Sequence, residues 1–141
     1  MPAPYLLDTD HCVACLQGHH PAHVTVAARV NGTSPADLRL SLFTVMELTE
    51  GPWHSQMAQR YHADRAALHA FLAGMTVVSP SPLAVEEFGR IRALLRQQNQ
   101  LIGDLDTGIA AIALAERFTL VTHNTQHFNR IPGLKLEDWY P

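Results

Sequence analysis

The strongest constraint on the fold is an alternation of short apolar segments with helical patterns along the chain. The first apolar segment, Tyr5–Leu7, stops at Asp8, which is typical of a buried strand that ends on a polar residue. Four later segments also predict strands, at residues 38–42, 76–78, 119–122 and, as an edge, 134–136. These five segments are the candidates for a central sheet.

Helical patterns occupy the segments between the predicted strands. A segment opened by Pro82 has apolar residues three or four positions apart, which predicts an amphipathic surface helix. Residues 44–50, 56–73 and 106–117 also predict helices, and the last is almost continuously Ala, Ile and Leu, which indicates deep burial. Strands separated by helices favour an α/β fold, a three-layer sandwich with a mostly parallel central sheet flanked by helices.

Length and composition set further limits. The chain has 141 residues, of which 47% are hydrophobic, and this is enough for one compact domain with a core. We therefore expect residues 1–141 to form a single domain. The first apolar stretch is only a few residues long and has no basic residue ahead of it, so we expect neither a signal peptide nor a membrane span, and a cytoplasmic protein.

The charge balance bears on nucleic-acid binding. The formal net charge is −3 and the isoelectric point is near 6.3, whereas a protein that holds nucleic acid by bulk electrostatics is usually basic. This counts less against a metal-dependent nuclease, because carboxylates lower the net charge while the metal ions they hold supply positive charge to the phosphate.

Cysteine and histidine give little sign of a zinc or redox site. Cys12 and Cys15 form a lone C-x-x-C without a second pair, and we interpret them as small buried residues about one helical turn apart. His19, His20 and His23 lie in a stretch flanked by Gly and Pro, which indicates surface. We interpret the histidines as mostly structural or solvated.

Oxygen-bearing side chains follow several predicted strands where each strand ends. In an open parallel sheet, ligands bind at the carboxyl ends of the strands. Such oxygens are the ligands that Mg²⁺ and Mn²⁺ prefer, and a bound cation can acidify water for phosphodiester hydrolysis. The candidates are Asp8 after the first strand, Glu47 in the helix after the second, Asp104 and Asp106 at the start of the Ala-rich helix, and Asn124 after the fourth.

Some of these acids have a structural alternative. Asp is a favoured helix N-cap, so Asp104 or Asp106 taken alone is more often a cap than a ligand. Glu47 differs, because its sequence neighbours Met46 and Leu48 are apolar. A carboxylate buried among apolar side chains is costly without a cation or a hydrogen-bond partner, and this favours a functional site.

Three segments, in order and spread over the chain, resemble a known family. They are residues 6–10 (LLDTD), residues 41–51 (SLFTVMELTEG) and residues 102–139, which contain IGDLD, IAA, LVTHNT and IPGL. Together they resemble the PIN-domain ribonuclease toxins of the VapC type. The resemblance implies a PIN-like three-layer α/β sandwich and a metal-dependent endoribonuclease that acts as the toxin of a toxin–antitoxin pair.

The resemblance also implies roles for the acidic residues. Asp8, Glu47 and Asp106 would form the core that binds Mg²⁺ or Mn²⁺. Asp106 is the residue that corresponds to the family's near-invariant aspartate, because it stands three residues before the Ile-Ala-Ala run. Asp104 would support the site.

Further roles are implied for neutral residues and for partners. Asn124 stands where many relatives have a fourth acid, so the resemblance implies a neutral ligand here and argues against a tightly held second metal. Thr9 and Thr122 resemble hydroxyls that orient carboxylates or water. The resemblance further implies a homodimer, a small antitoxin protein whose tail occupies the active-site groove, and structured RNA, often tRNA or an rRNA loop, as substrate.

Three alternatives remain open from the sequence. Asp8-Thr9-Asp10 after an apolar run is similar to the nucleophile motif of haloacid-dehalogenase-type phosphatases. That fold also needs a lysine between its motifs, whereas the only lysine here is Lys135. Within the PIN class, a housekeeping or DNA-directed nuclease fits the same residues. A degenerate domain that only binds RNA or protein would be favoured if the acids were missing, and they are present.

Overall fold

A five-stranded parallel sheet forms the centre of the computed structural model, which describes residues 4–53 and 58–141. The strands are β1 (Tyr5–Leu7), β2 (Leu38–Ser41), β3 (Thr76–Val78), β4 (Thr119–Val121) and β5 (Leu136–Glu137). Their order across the sheet is β3-β2-β1-β4-β5, and every pairing is parallel. The carboxyl ends of the strands therefore lie at one edge, with β1 in the middle.

Helices follow several of these strands directly. They are α1 (Thr9–Leu16), α2 (His23–Asn31), α3 (Leu42–Trp53), α4 (Ala58–Ala73), α5 (Pro82–Gln97), α6 (Asp104–Glu116) and α7 (Thr125–Phe128), with a short 3-10 helix at Pro35–Asp37. Helix α1 begins two residues after β1, and α3 begins one residue after β2. The first turns of these helices therefore lie over the carboxyl edge of the sheet.

The hydrophobic core lies on both faces of the sheet. On one face, Leu6 and Leu120 pack with buried residues of α5 and α6 such as Ile109. On the other face, Leu7 and Val121 pack with buried residues of α1 to α4. Successive residues of a strand point to opposite faces, so these two clusters confirm the predicted three-layer α/β sandwich.

The predicted strands are confirmed with small shifts at their ends. β1 and β3 lie where the sequence predicts them. β2 ends at Ser41, because Leu42 already belongs to α3. The edge strand covers Leu136–Glu137 rather than residues 134–136, because the chain still turns at Gly133, whose φ is +83°.

The predicted helices are confirmed in the same way. α5 begins at Pro82, and Ser81 caps it by accepting the N–H of Ala84. α6 begins at Asp104, two residues earlier than predicted, and residues 107–113 are all buried, as expected. The predicted start of α4 at residues 56 and 57 lies outside the described residues.

Helices α1 and α2 were not predicted, although the cysteines were expected one helical turn apart. Cys12 is buried on α1, whereas Cys15 is only partly buried, so the expectation of two buried cysteines is half right. His23 is partly buried and its Nδ1 lies 2.8 Å from the carbonyl oxygen of Ala14, which ties α2 to α1. Among residues 4–53 and 58–141, no helix has both the length and the apolar character that crossing a bilayer requires.

Candidate active site

The carboxyl edge of the sheet brings together the acids that the sequence places far apart. Asp8 directly follows β1, and Thr122 directly follows β4. Glu47 lies on α3 after β2, and Asp106 lies in the first turn of α6. These residues form the candidate active site.

Asp8 is the buried centre of this site. Only 5% of its surface is exposed, and it caps α1 by accepting the N–H of Thr9 on Oδ1 at 2.8 Å. Its Oδ2 accepts the hydroxyl of Thr122 at 2.7 Å. Burial, and then the charges of Asp10 and Asp106, raise the pKa of Asp8 to about 7, against the opposing hydrogen bonds from Thr122 and Thr9. Asp8 therefore carries a carboxylate that is costly to ionise without a nearby cation.

Glu47 joins the site through a threonine. The hydroxyl of Thr9 lies 2.7 Å from Oε1 of Glu47, closer than its 3.3 Å to the hydroxyl of Thr44. Burial raises the pKa of Glu47, and the charges of Asp106, Glu50 and Asp10 act in the same direction, while the hydrogen bond from Thr9 lowers it. Thr9 thus lies within hydrogen-bond distance of Glu47, and the role that the resemblance implies for it, orienting this carboxylate, stays a prediction.

The surroundings of Glu47 differ from the expectation. The carboxylate was expected to lie among buried apolar neighbours, but Met46 is 52% exposed and Glu47 itself is only partly buried. The reason is the helical geometry of α3, which turns Leu48 into the core and Met46 towards solvent. The raised pKa of Glu47 therefore reflects partial burial and neighbouring acids rather than full enclosure.

Asp106 and Asn124 complete the edge around β4 and α6. Burial raises the pKa of Asp106, the charge of His127 opposes this, and Asp10 adds to it. The backbone N–H of Asn124 donates to the hydroxyl of Thr122 at 3.0 Å, and its side-chain nitrogen lies 2.8 Å from Nδ1 of His127. The acids at this edge thus influence one another electrostatically, which indicates a single cluster.

Asp104 occupies a different position from Asp106. Its side chain is 75% exposed and pairs with Arg92 on α5. The N-cap of α6 is Gly103, so neither Asp104 nor Asp106 caps the helix, and the capping alternative is wrong for both. A role of Asp104 as a metal ligand stays a prediction.

Sequence reasoning missed two residues that contact this cluster. Asp10 accepts the N–H of His123 on Oδ2 at 2.8 Å, and its Oδ1 lies 2.7 Å from Nδ1 of His11. Asp10 entered the sequence analysis only as the last residue of the LLDTD segment and in the phosphatase motif, and His11 only among the structural histidines. The D-x-D spacing at the end of β1 was the one signal available for Asp10.

A groove leads away from the acids between α1, α3 and α4. It has a volume of about 670 Å³, and Thr9 and Glu47 lie at its edge. Its lining also includes apolar side chains such as Leu16 and Leu68, and the charged pair Arg60–Asp64. The groove therefore opens next to the carboxylate of Glu47.

The donor chemistry of the site fits a hard divalent cation. Asp8, Glu47 and Asp106 all offer carboxylate oxygens, and all three have a raised pKa, first because of burial and then because of neighbouring acids, of which Asp10 acts on each. A cation would relieve that repulsion. As the side chains stand, no three described His, Cys, Asp or Glu residues converge tightly enough to enclose an ion. Asp8 and Glu47 instead use their oxygens for hydrogen bonds with threonines.

Comparison with known proteins identifies the class of protein that has this fold and site. The PIN domain family matches residues 5–134. The tRNA(fMet)-specific endonuclease VapC of Shigella flexneri is 33% identical over 135 residues, covering 96% of this chain and 97% of that protein. Ribonuclease VapC2 of Rickettsia felis is 31% identical over 138 residues, with the same coverage. The chain therefore belongs to the PIN-domain family and, within it, to the VapC ribonucleases.

Solved structures agree with this assignment. VapBC from Salmonella typhimurium, determined bound to DNA, gives a TM-score of 0.85 at 29% identity, covering 97% of this chain and 98% of that one. VapBC2 from Rickettsia felis, bound to a DNA fragment from its promoter, gives a TM-score of 0.83 at 29% identity, covering 96% and 98%. The resemblance, the fold and the enzyme class expected from the sequence are confirmed. The phosphatase alternative is set aside.

Proposed function

We propose that this chain is a toxin endoribonuclease that cleaves structured RNA of the tRNA or rRNA class, using Mg²⁺ or Mn²⁺ held by Asp8, Glu47 and Asp106. One observation carries the proposal: these three carboxylates lie at one edge of the sheet, each with a raised pKa, and Glu47 also lines the groove described above. The Shigella relative, named as a tRNA(fMet)-specific endonuclease, supports tRNA as the first substrate to test.

The position of each acid would determine its role in binding the metal ion. Asp8, fixed by two hydrogen bonds, would be the rigid ligand. Glu47 and Asp106, less buried than Asp8, would complete the set from α3 and α6, with Asn124 as a neutral oxygen donor. When bound, the cation supplies the charge that polarises the scissile phosphate and acidifies an attacking water.

The threonines would keep the carboxylates in position between turnovers. Thr122 donates to Asp8, and Thr9 lies within hydrogen-bond distance of Glu47. Fixed hydroxyls of this kind orient acidic ligands and reduce the cost of reorganisation. Asp104, paired with Arg92 on the surface, would support the start of α6.

The groove also suggests how the enzyme would be controlled. Apolar side chains line it next to Glu47, so a protein segment with apolar anchors could occupy it and block access to the acids. We propose that this segment is the tail of a small antitoxin and that the toxin acts in the cytoplasm as a homodimer. The related structures named VapBC are consistent with an antitoxin partner.

The experiment that tests the proposal compares RNA with DNA. The purified chain and its Glu47→Gln variant are incubated with tRNA, rRNA and DNA of matched sequence, and products are mapped by sequencing. We expect cleavage at few sites in RNA, by the unmodified chain only. Equal cleavage of the DNA would favour the DNA-directed alternative.

A growth assay tests the toxin role separately. Expression of the unmodified chain alone should arrest bacterial growth, whereas the Glu47→Gln variant at the same protein level should not. Normal growth with both proteins present at equal levels would count against a toxin.

A further inference from the structure

A fully buried histidine connects the acid cluster with the last residues of the chain. His11 has 0% exposure, and its Nε2 accepts the backbone N–H of Trp139 at 3.0 Å. A backbone N–H can only donate, so the proton of the neutral ring lies on Nδ1. That Nδ1 therefore donates to Oδ1 of Asp10, 2.7 Å away.

The other oxygen of Asp10 reaches the centre of the site. Oδ2 accepts the N–H of His123 at 2.8 Å and lies 3.4 Å from the hydroxyl of Thr122. The same hydroxyl donates to Asp8 at 2.7 Å. Among charged neighbours, Asp10 has the largest electrostatic effect on Asp8. Asp10 thus places its charge next to Asp8 and one of its oxygens next to the hydroxyl that donates to Asp8.

Residues 138–140, here called the C-terminal strap, are firmly attached at this point. Trp139 is 4% exposed and packs edge-on against Tyr5, with ring centroids 5.0 Å apart. Tyr140 stacks on His123 at 4.1 Å, and its hydroxyl donates to the backbone oxygen of Asp10 at 3.3 Å. The strap therefore offers His11 a fixed partner.

We propose that His11 is a positioning residue of the active site, which transmits the fixed position of Trp139 to the Asp10 carboxylate and so sets the arrangement of Asp8 and Thr122. The inference rests on the proposed function, because it concerns the same cleavage site. It assigns a role to a histidine and to a C-terminal segment that would otherwise be explained by core packing alone. Residues that orient ligands in this way typically change metal affinity or activity by about 10- to 100-fold when replaced.

Two substitutions separate the two hydrogen bonds of His11. In His11→Asn, the side-chain amide nitrogen lies near the position of Nδ1 and keeps a donor for Asp10, but the acceptor for Trp139 is lost. In His11→Gln, the longer side chain reaches the position of Nε2 and keeps an acceptor for Trp139, but the donor for Asp10 is lost. The pair is matched in polarity and differs in the contact it retains.

The variants are compared by kcat and KM on tRNA, by Mn²⁺ binding in calorimetry and by thermal unfolding. We expect His11→Gln to lower kcat and Mn²⁺ affinity by about tenfold or more while keeping the melting temperature close to that of the unmodified chain. We expect His11→Asn to lower kcat and Mn²⁺ affinity by a smaller factor, because the donor for Asp10 remains but is no longer anchored on Trp139. Normal kcat and affinity in His11→Gln, or losses in both variants that follow their melting temperatures, would overturn the proposal.

A double-mutant cycle keeps the inference testable if one variant folds poorly. In an Asp10→Ala background, His11→Gln should cause no further loss of kcat or Mn²⁺ affinity, because its target is gone. Additive losses would mean that His11 acts independently of Asp10 and would overturn the proposal. Mn²⁺ binding is measured without RNA, so it tests the role of His11 independently of the proposed function. An unmodified chain that binds Mn²⁺ but cuts no RNA would contradict the proposed function, and the Mn²⁺ affinities of the His11 variants could still be compared.

Discussion

The hydroxyl of Thr122 lies 2.7 Å from Oδ2 of Asp8, although the two residues are 114 positions apart in the sequence. The contact joins the ends of β1 and β4, which pair directly in the sheet. The same hydroxyl accepts the N–H of Asn124, so its hydrogen is directed at Asp8. The fold of the sheet edge therefore fixes the hydrogen bond that most strongly favours the ionised form of Asp8.

Replacement of Thr122 by Val should remove this bond at nearly constant volume. The pKa of Asp8 should then rise further, because the bond from Thr122 lowers it. We expect RNA cleavage to fall roughly tenfold or more at neutral pH and to recover partly as pH increases. Thr122→Ser keeps the hydroxyl and is the control, and a valine variant with an unchanged pH–rate profile would contradict the assignment.

Asp8→Asn should abolish RNA cleavage and yet stabilise the metal-free protein near neutral pH. The pKa of Asp8 is raised from 3.8 to about 7 in the folded chain, so between these values the folded state holds a proton that the unfolded state has lost. The free energy of unfolding therefore falls as pH rises from about 4 to about 7, by an amount on the order of a few kcal/mol. Glu47 and Asp106, also with raised pKa, act in the same direction.

The measurement is the melting temperature as a function of pH in the presence of a chelator. We expect the melting temperature of the unmodified chain to decline through this window and that of Asp8→Asn to decline less. Addition of Mn²⁺ should raise the melting temperature of the unmodified chain more than that of the variant. Parallel curves for the two proteins would mean that ionisation of Asp8 does not destabilise the folded chain.

The sequence predicted the sheet, α5, α6 and the residues at the strand ends, because apolar runs and helical periodicity are local signals. It did not predict α1 and α2. In α2, Val24, Thr25 and Val26 are β-branched and have weak helical propensity. Val24 is apolar but 80% exposed, so the apolar residues of this segment do not mark the buried face of the helix. The helix is instead held by packing against α1 and the sheet, which is tertiary information.

The positions of the candidate residues were predicted to a similar extent, because the parallel topology places the ends of β1 and β4, and the helices that carry Glu47 and Asp106, at one edge of the sheet. Their roles as metal ligands stay predictions. The link between His11 and Trp139 joins residues 128 positions apart through a backbone N–H. No residue pattern encodes such a contact, and it becomes visible only once the C-terminal residues are folded against α1.

Asn124→Asp should be tolerated and should tighten metal binding. The change restores an anionic oxygen donor at the end of β4, where the amide now contacts His127. We expect RNA cleavage to persist and Mn²⁺ affinity in calorimetry to rise, whereas Asn124→Ala, the control, should bind Mn²⁺ more weakly. Weaker binding by the aspartate variant would count against Asn124 as a donor to the metal.

Gly108→Ala should destabilise the fold and disturb the position of Glu47. A Cβ at residue 108 would lie 2.6 Å from Cε2 of Phe43, at the contact of α6 with α3. Overpacking of this kind costs about 1–3 kcal/mol, more than the roughly 1 kcal/mol that Ala gains over Gly in a helix. We expect a lower melting temperature, measured by calorimetry, and partial recovery when Phe43→Leu is added. A stabilised single variant would show that Phe43 moves aside freely.

Metal dependence separates the proposed mechanism from cleavage by the 2′-hydroxyl of the RNA itself. If the carboxylates of Asp8, Glu47 and Asp106 act by holding a divalent cation, a chelator should abolish cleavage and Mn²⁺ or Mg²⁺ should restore it. Ca²⁺, which accepts looser geometry and acidifies water less, should bind and support little turnover.

The ends of the cleaved RNA test the same mechanism. Attack by water opposite the 3′ oxygen leaves a 5′-phosphate and a 3′-hydroxyl, which end-labelling and mass spectrometry distinguish from a 2′,3′-cyclic phosphate. The Asp106→Asn variant at equal concentration controls for contaminating ribonuclease, because a contaminant would cut in both samples. A cyclic phosphate product made by the unmodified chain alone, or full activity after exhaustive chelation, would overturn this mechanism while leaving the PIN fold unaffected.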